Sequence, residues 1–304
     1  MAWKRIFMHD APRRLNHSDS GTTMNTELSL SATEQTLNGI FIPPCPATLT
    51  ELMREIKHPE ASLEKIAQLI SRDAGMLAPL LKLANSPFVG LRTKVTSVMH
   101  AANILGLRNI MNLVHNIALR QSLGGEGQSF DKFWERSTIA ASGAEKMAAK
   151  FPTVSREESY IAALFHDCGI PVLMQKYPDY RATVMADGKQ GIPLCETEDK
   201  HYSTNHAVVG NMLTRSWALP ARVSMAILLH HDETIFTSPD NRAGADVRDL
   251  IGLIHMAENV TDEHLHVRDK DWDKHGELVL AHFELSEQEF SELKWDMLAF
   301  LNGE

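Results

Sequence analysis

Apolar residues recur at spacings of three and four along most of the chain from residue 42 onward. This spacing follows the 3.6-residue turn of an α-helix and places the apolar side chains on one face. No segment stands out with apolar residues at alternating positions, the pattern expected of a half-buried strand. The sequence therefore predicts an all-α protein, a helical bundle with almost no sheet.

Turn residues divide this helical pattern. Prolines at 43, 44 and 46 remove amide donors and predict an extended segment before the first helix. Pro79 lies inside a helical pattern and predicts a kink or a later helix start. Gly106 is expected to end one helix, and Gly124-Gly125-Glu126-Gly127 separates an N-terminal bundle from a second helical half. The expected N-caps are Ser62, Asp73, Ser97, Ser155, Ser203 or Thr204, and Ser286.

The second half has a less regular pattern. One helix is predicted from Pro171 to Met185, with a bend at Pro178. A polar loop is predicted next, followed by the helix that contains His206. Four histidines that lie among charged residues are expected on the solvated surface: His264, His266, His275 and His282.

Composition excludes several classes of function. The formal charge of −9 argues against broad contact with nucleic acid, because such binding depends on clustered Lys and Arg. Cys45, Cys168 and Cys195 are odd in number and form no CxxC pair, which favours a reducing cytoplasm over a disulfide framework or zinc ribbon. The chain has no run of about 18 apolar residues, so no membrane span is predicted.

Metal-ligating residue types are concentrated in the second half. His166-Asp167, His206 and His230-His231 each stand at the end of an apolar helix. Nitrogen and oxygen donors of this kind suit iron, manganese, zinc or magnesium. On spacing alone, a hydrogen-bonded His-Asp pair near a helix C-terminus is the commoner explanation, and the alternative of a metal site stays open.

A set of short motifs also occurs in a characteristic order. The motifs are Ile42-Pro43-Pro44, Leu83-Ala84-Asn85-Ser86, Ile104-Leu105-Gly106-Leu107-Arg108, Ala163-Leu164-Phe165-His166-Asp167-Cys168-Gly169, His206-Ala207-Val208-Val209-Gly210, Trp217-Ala218-Leu219-Pro220 and His230-His231. Together they resemble the HDOD branch of the HD phosphohydrolase superfamily, over residues 42 to about 260.

The resemblance implies an all-helical domain in two lobes with an HD-domain-like C-terminal half. We expect a flexible leader at residues 1–35, the HDOD domain at 36–260 with lobes at 36–123 and 129–260, and a C-terminal helical extension at 261–304. Such domains usually serve as output or regulatory modules in bacterial signalling.

The resemblance also assigns residues to the metal site of HD phosphohydrolases. His166 and Asp167 match the HD pair, and His206 and His230 match the additional histidines. Whether His231 is a further match is left open. Two positions depart from the pattern, because Arg136 replaces the first histidine and Glu258 replaces the final aspartate. A guanidinium has no lone pair to donate to a metal. We therefore expect Arg136 to form a charge-assisted pair with Asp167 or Glu258, which replaces the charge of the ion and holds the two-lobed bundle together.

These features predict a signal-transduction output module that acts through protein contacts and has a degenerate HD-type site. A signalling protein is the expected partner, with a homodimer as an open alternative; no membrane or nucleic-acid partner is expected. No cofactor is assigned. The alternative is a metal-dependent phosphohydrolase for a nucleotide or cyclic dinucleotide, with divalent Fe, Mn, Zn or Mg bound by His166, Asp167, His206 and His230.

Overall fold

The computed structural model describes residues 39–86, 89, 91, 93–124, 128–232, 234–237, 243–267 and 271–302. Every regular element in these ranges is a helix, and none of them contains a strand. The all-α prediction is confirmed. The expected leader and residues 125–127 of the glycine-rich break lie outside the described residues.

The helices are numbered in chain order. The N-terminal half contains α1 (Ala47–Ile56), α2 (Leu63–Arg72), α3 (Ala74–Ala84) and α4 (Val98–Leu123). The second half contains α5 (Gln128–Ala148), α6 (Arg156–Phe165), α7 (Gly169–Lys176), α8 (Tyr180–Lys189), α9 (Leu194–Tyr202), α10 (His206–Ser216), α11 (Ala221–Leu229), α12 (Ala245–His264), α13 (Trp272–His282) and α14 (Glu287–Asn302).

Side-chain caps begin most helices of the first half where the sequence predicts them. Ser62, Asp73 and Ser97 each accept a hydrogen bond from the backbone N–H three residues later, at 3.1 Å. Gly106 interrupts α4 with φ 79° and ψ 160°, so two helices meet there, as expected. Glycine suits this break because positive φ carries no Cβ penalty.

Pro79 does not delay the start of α3. The helix begins at Ala74 and continues through Pro79, so the expected later start is wrong. The missing proline N–H would leave the Gly75 carbonyl without its helical donor. That carbonyl instead accepts a hydrogen bond from the Gln121 side chain of α4, which replaces the lost bond.

The region between residues 169 and 206 differs from the prediction in three ways. Two helices, α7 and α8, replace the single bent helix, because Pro178 lacks an amide donor and Tyr177 before it is extended. The predicted polar loop contains α9. The N-cap of α10 is Asn205, which accepts from the Val208 N–H at 3.0 Å, whereas Ser203 ends α9 in a left-handed conformation.

Two apolar clusters hold the helices together. The larger extends from Ile40 to Ala257 and draws on both halves. The smaller joins α5 and α12 to the last two helices through Met147, Met256, Val279 and Met297. None of the described helices combines the length and apolar character needed to cross a membrane.

Candidate functional site

Helix ends bring the candidate site residues together in the second half. His166 and Asp167 follow α6, His206 begins α10, and His230 and His231 follow α11; Arg136 lies on α5 and Glu258 on α12.

Gly169 permits the closest of these approaches. A Cβ at this position would lie 2.1 Å from the backbone oxygen of His206, so only glycine lets the start of α7 touch the start of α10. This contact sets the HD pair beside His206.

Arg136 is surrounded by carboxylates. Its Nε donates to Asp262 Oδ1 and its Nη2 to Glu258 Oε1, both at 2.8 Å, and Nη1 lies 3.5 Å from Asp167 Oδ2. The expected pairing with Glu258 and Asp167 is therefore present. Asp262 was not anticipated, although it lies one helical turn after Glu258 and so on the same face of α12. All four residues belong to the second half of the chain.

His166 lies between two of these carboxylates. Its Nδ1 is 2.7 Å from the Ala163 carbonyl oxygen, and its Nε2 is 3.1 Å from both Asp167 Oδ2 and Glu258 Oε1. Burial lowers the pKa of this imidazole, but the two carboxylates raise it by more, so that the pKa is about 10. The pKa values of Asp167 and Glu258 are held well below their ordinary values, against the effect of burial, by His166 and by further cationic neighbours.

A buried carboxylate orients His206. Glu198 Oε2 accepts from the His206 backbone N–H at 2.9 Å and lies 2.7 Å from its Nδ1. The Nε2 atom then faces Asp167 Oδ1 at 3.4 Å and His231 Nε2 at 3.1 Å. Glu198 lies in the segment predicted as a polar loop, so no predicted helical face directs it toward His206.

His230 is oriented by the backbone. Its Nδ1 is 2.7 Å from the Ile227 carbonyl oxygen, and its buried Nε2 has no hydrogen-bond partner among the described residues. That nitrogen lies 3.8 Å from Asp167 Oδ1. Burial lowers the pKa of His230. Burial also lowers the pKa of His231, and the neighbouring His230 and His206 lower it further. Both imidazoles are therefore neutral at neutral pH.

Two groups of possible ligands share Asp167, and the group with His206, His230 and His231 suits a divalent ion better. Ligand atoms of Asp167, His206, His230 and His231 all lie within 4.8 Å of one another. Backbone and carboxylate bonds at Nδ1 of His230 and His206 direct the Nε2 atoms toward Asp167, as in many metal sites. At the other group, Arg136 and His166 already bind the oxygens of Glu258 and Asp167 that a second ion would need.

Two histidines outside the group of possible ligands, His255 and His275, pack against each other. His275 is buried and stacks on His255 with ring centroids 5.2 Å apart, so its predicted surface position is wrong. His282 is partly buried and lies 2.7 Å from Asp249 Oδ1, whereas His266 is exposed as expected. Charged neighbours in sequence do not place a histidine on the surface when its helix packs on others.

Comparisons with known proteins agree with this architecture. The all-helical fold and the convergent imidazole and carboxylate groups define an HD-type domain. The model of the HDOD domain family matches residues 42–233, and the chain belongs to that family.

One relative in sequence is an uncharacterized protein of Treponema pallidum. It is 28% identical over 214 residues, which are 69% of this chain and 41% of that protein. This chain therefore spans about two fifths of the length of that relative.

Similar solved structures show the same fold. A protein of Shewanella amazonensis, provisionally named a phosphohydrolase, has a TM-score of 0.64 at 19% identity, over 85% of this chain and 94% of that chain. An HDOD domain protein of unknown function from Geobacter sulfurreducens also has a TM-score of 0.64, at 20% identity over 92% of this chain and 90% of that chain. A protein of Marinobacter aquaeolei, provisionally named a signal transduction protein, has a TM-score of 0.63 at 20% identity, over 90% of this chain and 61% of that chain.

Proposed function

We propose that this chain is a regulatory module of signal transduction that acts through protein contacts, and that its HD-type site does not hydrolyse phosphoesters. The partner is another signalling protein or a second copy of the chain, in the cytoplasm. The observation that carries the proposal is the position of Arg136, whose guanidinium binds Glu258 and Asp262 at 2.8 Å.

Arg136 binds carboxylate oxygens that a two-metal centre would need as ligands. Its charge lies beside Glu258 and Asp167, and it stays protonated at every physiological pH. The carboxylate oxygens that it and His166 bind are no longer free for an ion. The carboxylates therefore serve an internal ion-pair network, which favours a structural role for this half of the site.

The first test is metal content and hydrolysis. We expect the purified chain, after incubation with Mn²⁺ or Fe²⁺, to show no turnover of bis(p-nitrophenyl) phosphate or of a cyclic dinucleotide above the buffer rate. Stoichiometric metal in elemental analysis together with turnover would overturn the proposal.

The variant Arg136→His tests whether Arg136 prevents metal binding. An imidazole in place of the guanidinium removes the fixed cation and adds a nitrogen donor, so we expect more bound Mn²⁺ or Fe²⁺ per chain than in the wild type. Arg120→His is the matched control, because Arg120 lies over the Trp134 ring, 6.0 Å from its centroid, outside the site. Equal metal content in the two variants would show that Arg136 does not limit metal binding.

A cellular test addresses the regulatory role. A strain that lacks the gene should regain its normal signalling output from a chain with both His230→Gln and His231→Gln, because the proposal assigns no chemistry to these imidazoles. Near-ultraviolet circular dichroism of the purified variant checks that it folds. A folded variant that fails to complement would contradict the proposal.

The alternative is a metal-dependent phosphohydrolase acting on a nucleotide or cyclic dinucleotide. The convergence of Asp167, His206, His230 and His231 favours it. An ion bound there would polarise a phosphate and lower the pKa of its bound water. In this alternative Glu198 and the Ile227 carbonyl fix the imidazoles of His206 and His230.

A further inference from the structure

A cavity of about 360 Å³ lies where the two halves of the domain meet. Residues of α3 and α4 line one side, and residues of α5, α6 and α14 line the other. None of the HD-type site residues described above lines it. Its volume lies in the range of pockets that hold small organic ligands, about 300–1,000 Å³.

Much of the wall is apolar. Leu83, Val89, Leu105, Leu113 and Phe300 supply this surface. Aliphatic and aromatic groups on several helices suit a flat ring, because both faces of a ring can contact carbon atoms.

Three polar atoms in the lining lack hydrogen-bond partners among the described residues, namely Oδ1 of Asn112, Oδ1 of Asn116 and Nε of Arg156. Asn112 is 4% exposed; its Nδ2 donates to Glu145 Oε2 at 2.8 Å, and its buried Oδ1 has no hydrogen-bond partner within the described chain. The Nε of Arg156 is also buried and unpaired there. Buried polar atoms are normally hydrogen-bonded, so an unpaired oxygen and an unpaired N–H in a cavity wall indicate a ligand with both a donor and an acceptor.

The charges of the lining are mainly positive. Arg108, Lys146 and Arg156 face a single carboxylate, Glu145. Glu145 Oε1 binds Arg108 Nε at 2.8 Å and lies 3.5 Å from Arg156 Nη2, so it holds the two guanidinium groups together. The Arg108 side chain is 44% exposed, which places it toward solvent with free N–H donors for an anion.

We propose that this cavity binds a mononucleotide whose base bears an amino group. The base lies between the apolar walls and donates an N–H to Asn112 Oδ1, and the phosphate is bound by Arg108, Arg156 and Lys146. A neutral sugar offers neither an anion nor a flat apolar face.

The cavity also connects to the HD-type site through shared helices. Glu145 follows Arg136 on α5 by nine residues, which is about 13.5 Å along the helix. Tyr160, another lining residue, belongs to α6, which ends at the HD pair. A bound nucleotide would contact both halves of the domain and the two helices that lead to the site.

Isothermal titration calorimetry of the full chain with GMP, AMP and CMP tests the proposal. We expect at least one of them to bind, its nucleoside to bind at least tenfold more weakly, and Arg108→Gln to weaken binding about tenfold, the effect of one charge-assisted hydrogen bond. Leu105→Trp, which fills the cavity, should abolish binding. Arg72→Gln, an exposed arginine on α2 outside the cavity, should leave it unchanged.

Binding at the HD-type site is distinguished by a further variant. If His231→Gln abolishes nucleotide binding and Leu105→Trp does not, the nucleotide occupies the HD-type site and the proposal is wrong. It is also wrong if none of the three nucleotides binds below about 1 mM, or if Arg108→Gln binds like Arg72→Gln. Thermal melting of each variant separates lost binding from lost folding.

Discussion

Arg136 forms charged contacts with three carboxylates of the site, those of Glu258, Asp262 and Asp167. Arg136→Met would leave these carboxylates without their cation in a largely buried setting, and its side chain is only 29% exposed. We expect the free energy of unfolding, measured with urea, to fall by about 3 kcal/mol.

Arg222→Met is the matched control for that loss. Arg222 pairs with Glu158 on the surface, where the side chain is 46% exposed, so its removal should cost less than about 1 kcal/mol. Equal losses in the two variants would show that the Arg136 network contributes no more than a surface ion pair.

His115 predicts a pH dependence that does not involve the HD-type site. Burial lowers its pKa to about 4, against a smaller opposing effect of its bond to the Met111 carbonyl. Between about pH 6.5 and 4 the unfolded chain therefore binds a proton that the folded chain does not, so this contribution is complete above pH 6.5 and is lost as the pH falls. The loss approaches about 3 kcal/mol at pH 4.

Urea unfolding of the wild type and of His115→Leu across this pH range checks the prediction. The stability difference between the two should shift by about 3 kcal/mol in favour of the variant between pH 7 and pH 4. A difference that stays constant with pH would mean that His115 titrates normally in the folded chain.

At the scale of elements, the contact of α7 with α10 depends on the absence of a Cβ atom at Gly169. A Cβ on Gly169 would overlap the His206 backbone, so Gly169→Ala must separate the two helices. We expect a loss of about 3 kcal/mol or more in thermal or urea unfolding, the range of severe packing defects.

Gly188→Ala provides the matched comparison. Gly188 lies in α8 with nothing within 4 Å of the added Cβ, so its substitution should leave stability within about 1 kcal/mol of the wild type. If both alanine variants unfold like the wild type, the close approach at Gly169 is not required.

Helices with clear apolar periodicity and a capping residue were predictable. The N-caps Ser62, Asp73 and Ser97 act as expected, and the Ser286 box is complete, since the Ser286 N–H donates to Glu289 at 2.8 Å and its Oγ accepts from the Glu289 N–H at 3.2 Å. Helix α9 was not predictable in this way, because among its buried side chains are those of Thr197 and Glu198, which leave no apolar face to detect.

Site residues were predictable where a motif marks them. Asp167, His206, His230 and His231 lie in one group of possible ligands, and His166 lies in another with Asp167 and Glu258. Asp262 and Glu198 have no such mark, because their roles depend on which side chains the tertiary packing places opposite them, namely Arg136 and His206. Spacing within one helix carries no information on contacts between helices.

At the scale of the whole molecule, the two apolar clusters are physically linked. α5 contributes Ala144 to the larger cluster and Met147 to the smaller, and α12 likewise contributes Ala257 and Met256. Because α5 and α12 contribute side chains to both clusters, neither cluster can unfold without disturbing the other. We expect one cooperative urea transition, with coincident midpoints by far-ultraviolet circular dichroism and tryptophan fluorescence. Two separated midpoints would contradict this.

The hydrogen bond from Trp217 Nε1 to the Pro43 carbonyl, 3.0 Å long, joins residues 174 positions apart. On a ribosome that adds about 5–20 residues per second, the tryptophan is made roughly 9–35 seconds after the proline. The Pro43 carbonyl cannot accept this hydrogen bond until Trp217 has been synthesised. At least one contact of the segment that is synthesised first therefore forms only after most of the domain has been made.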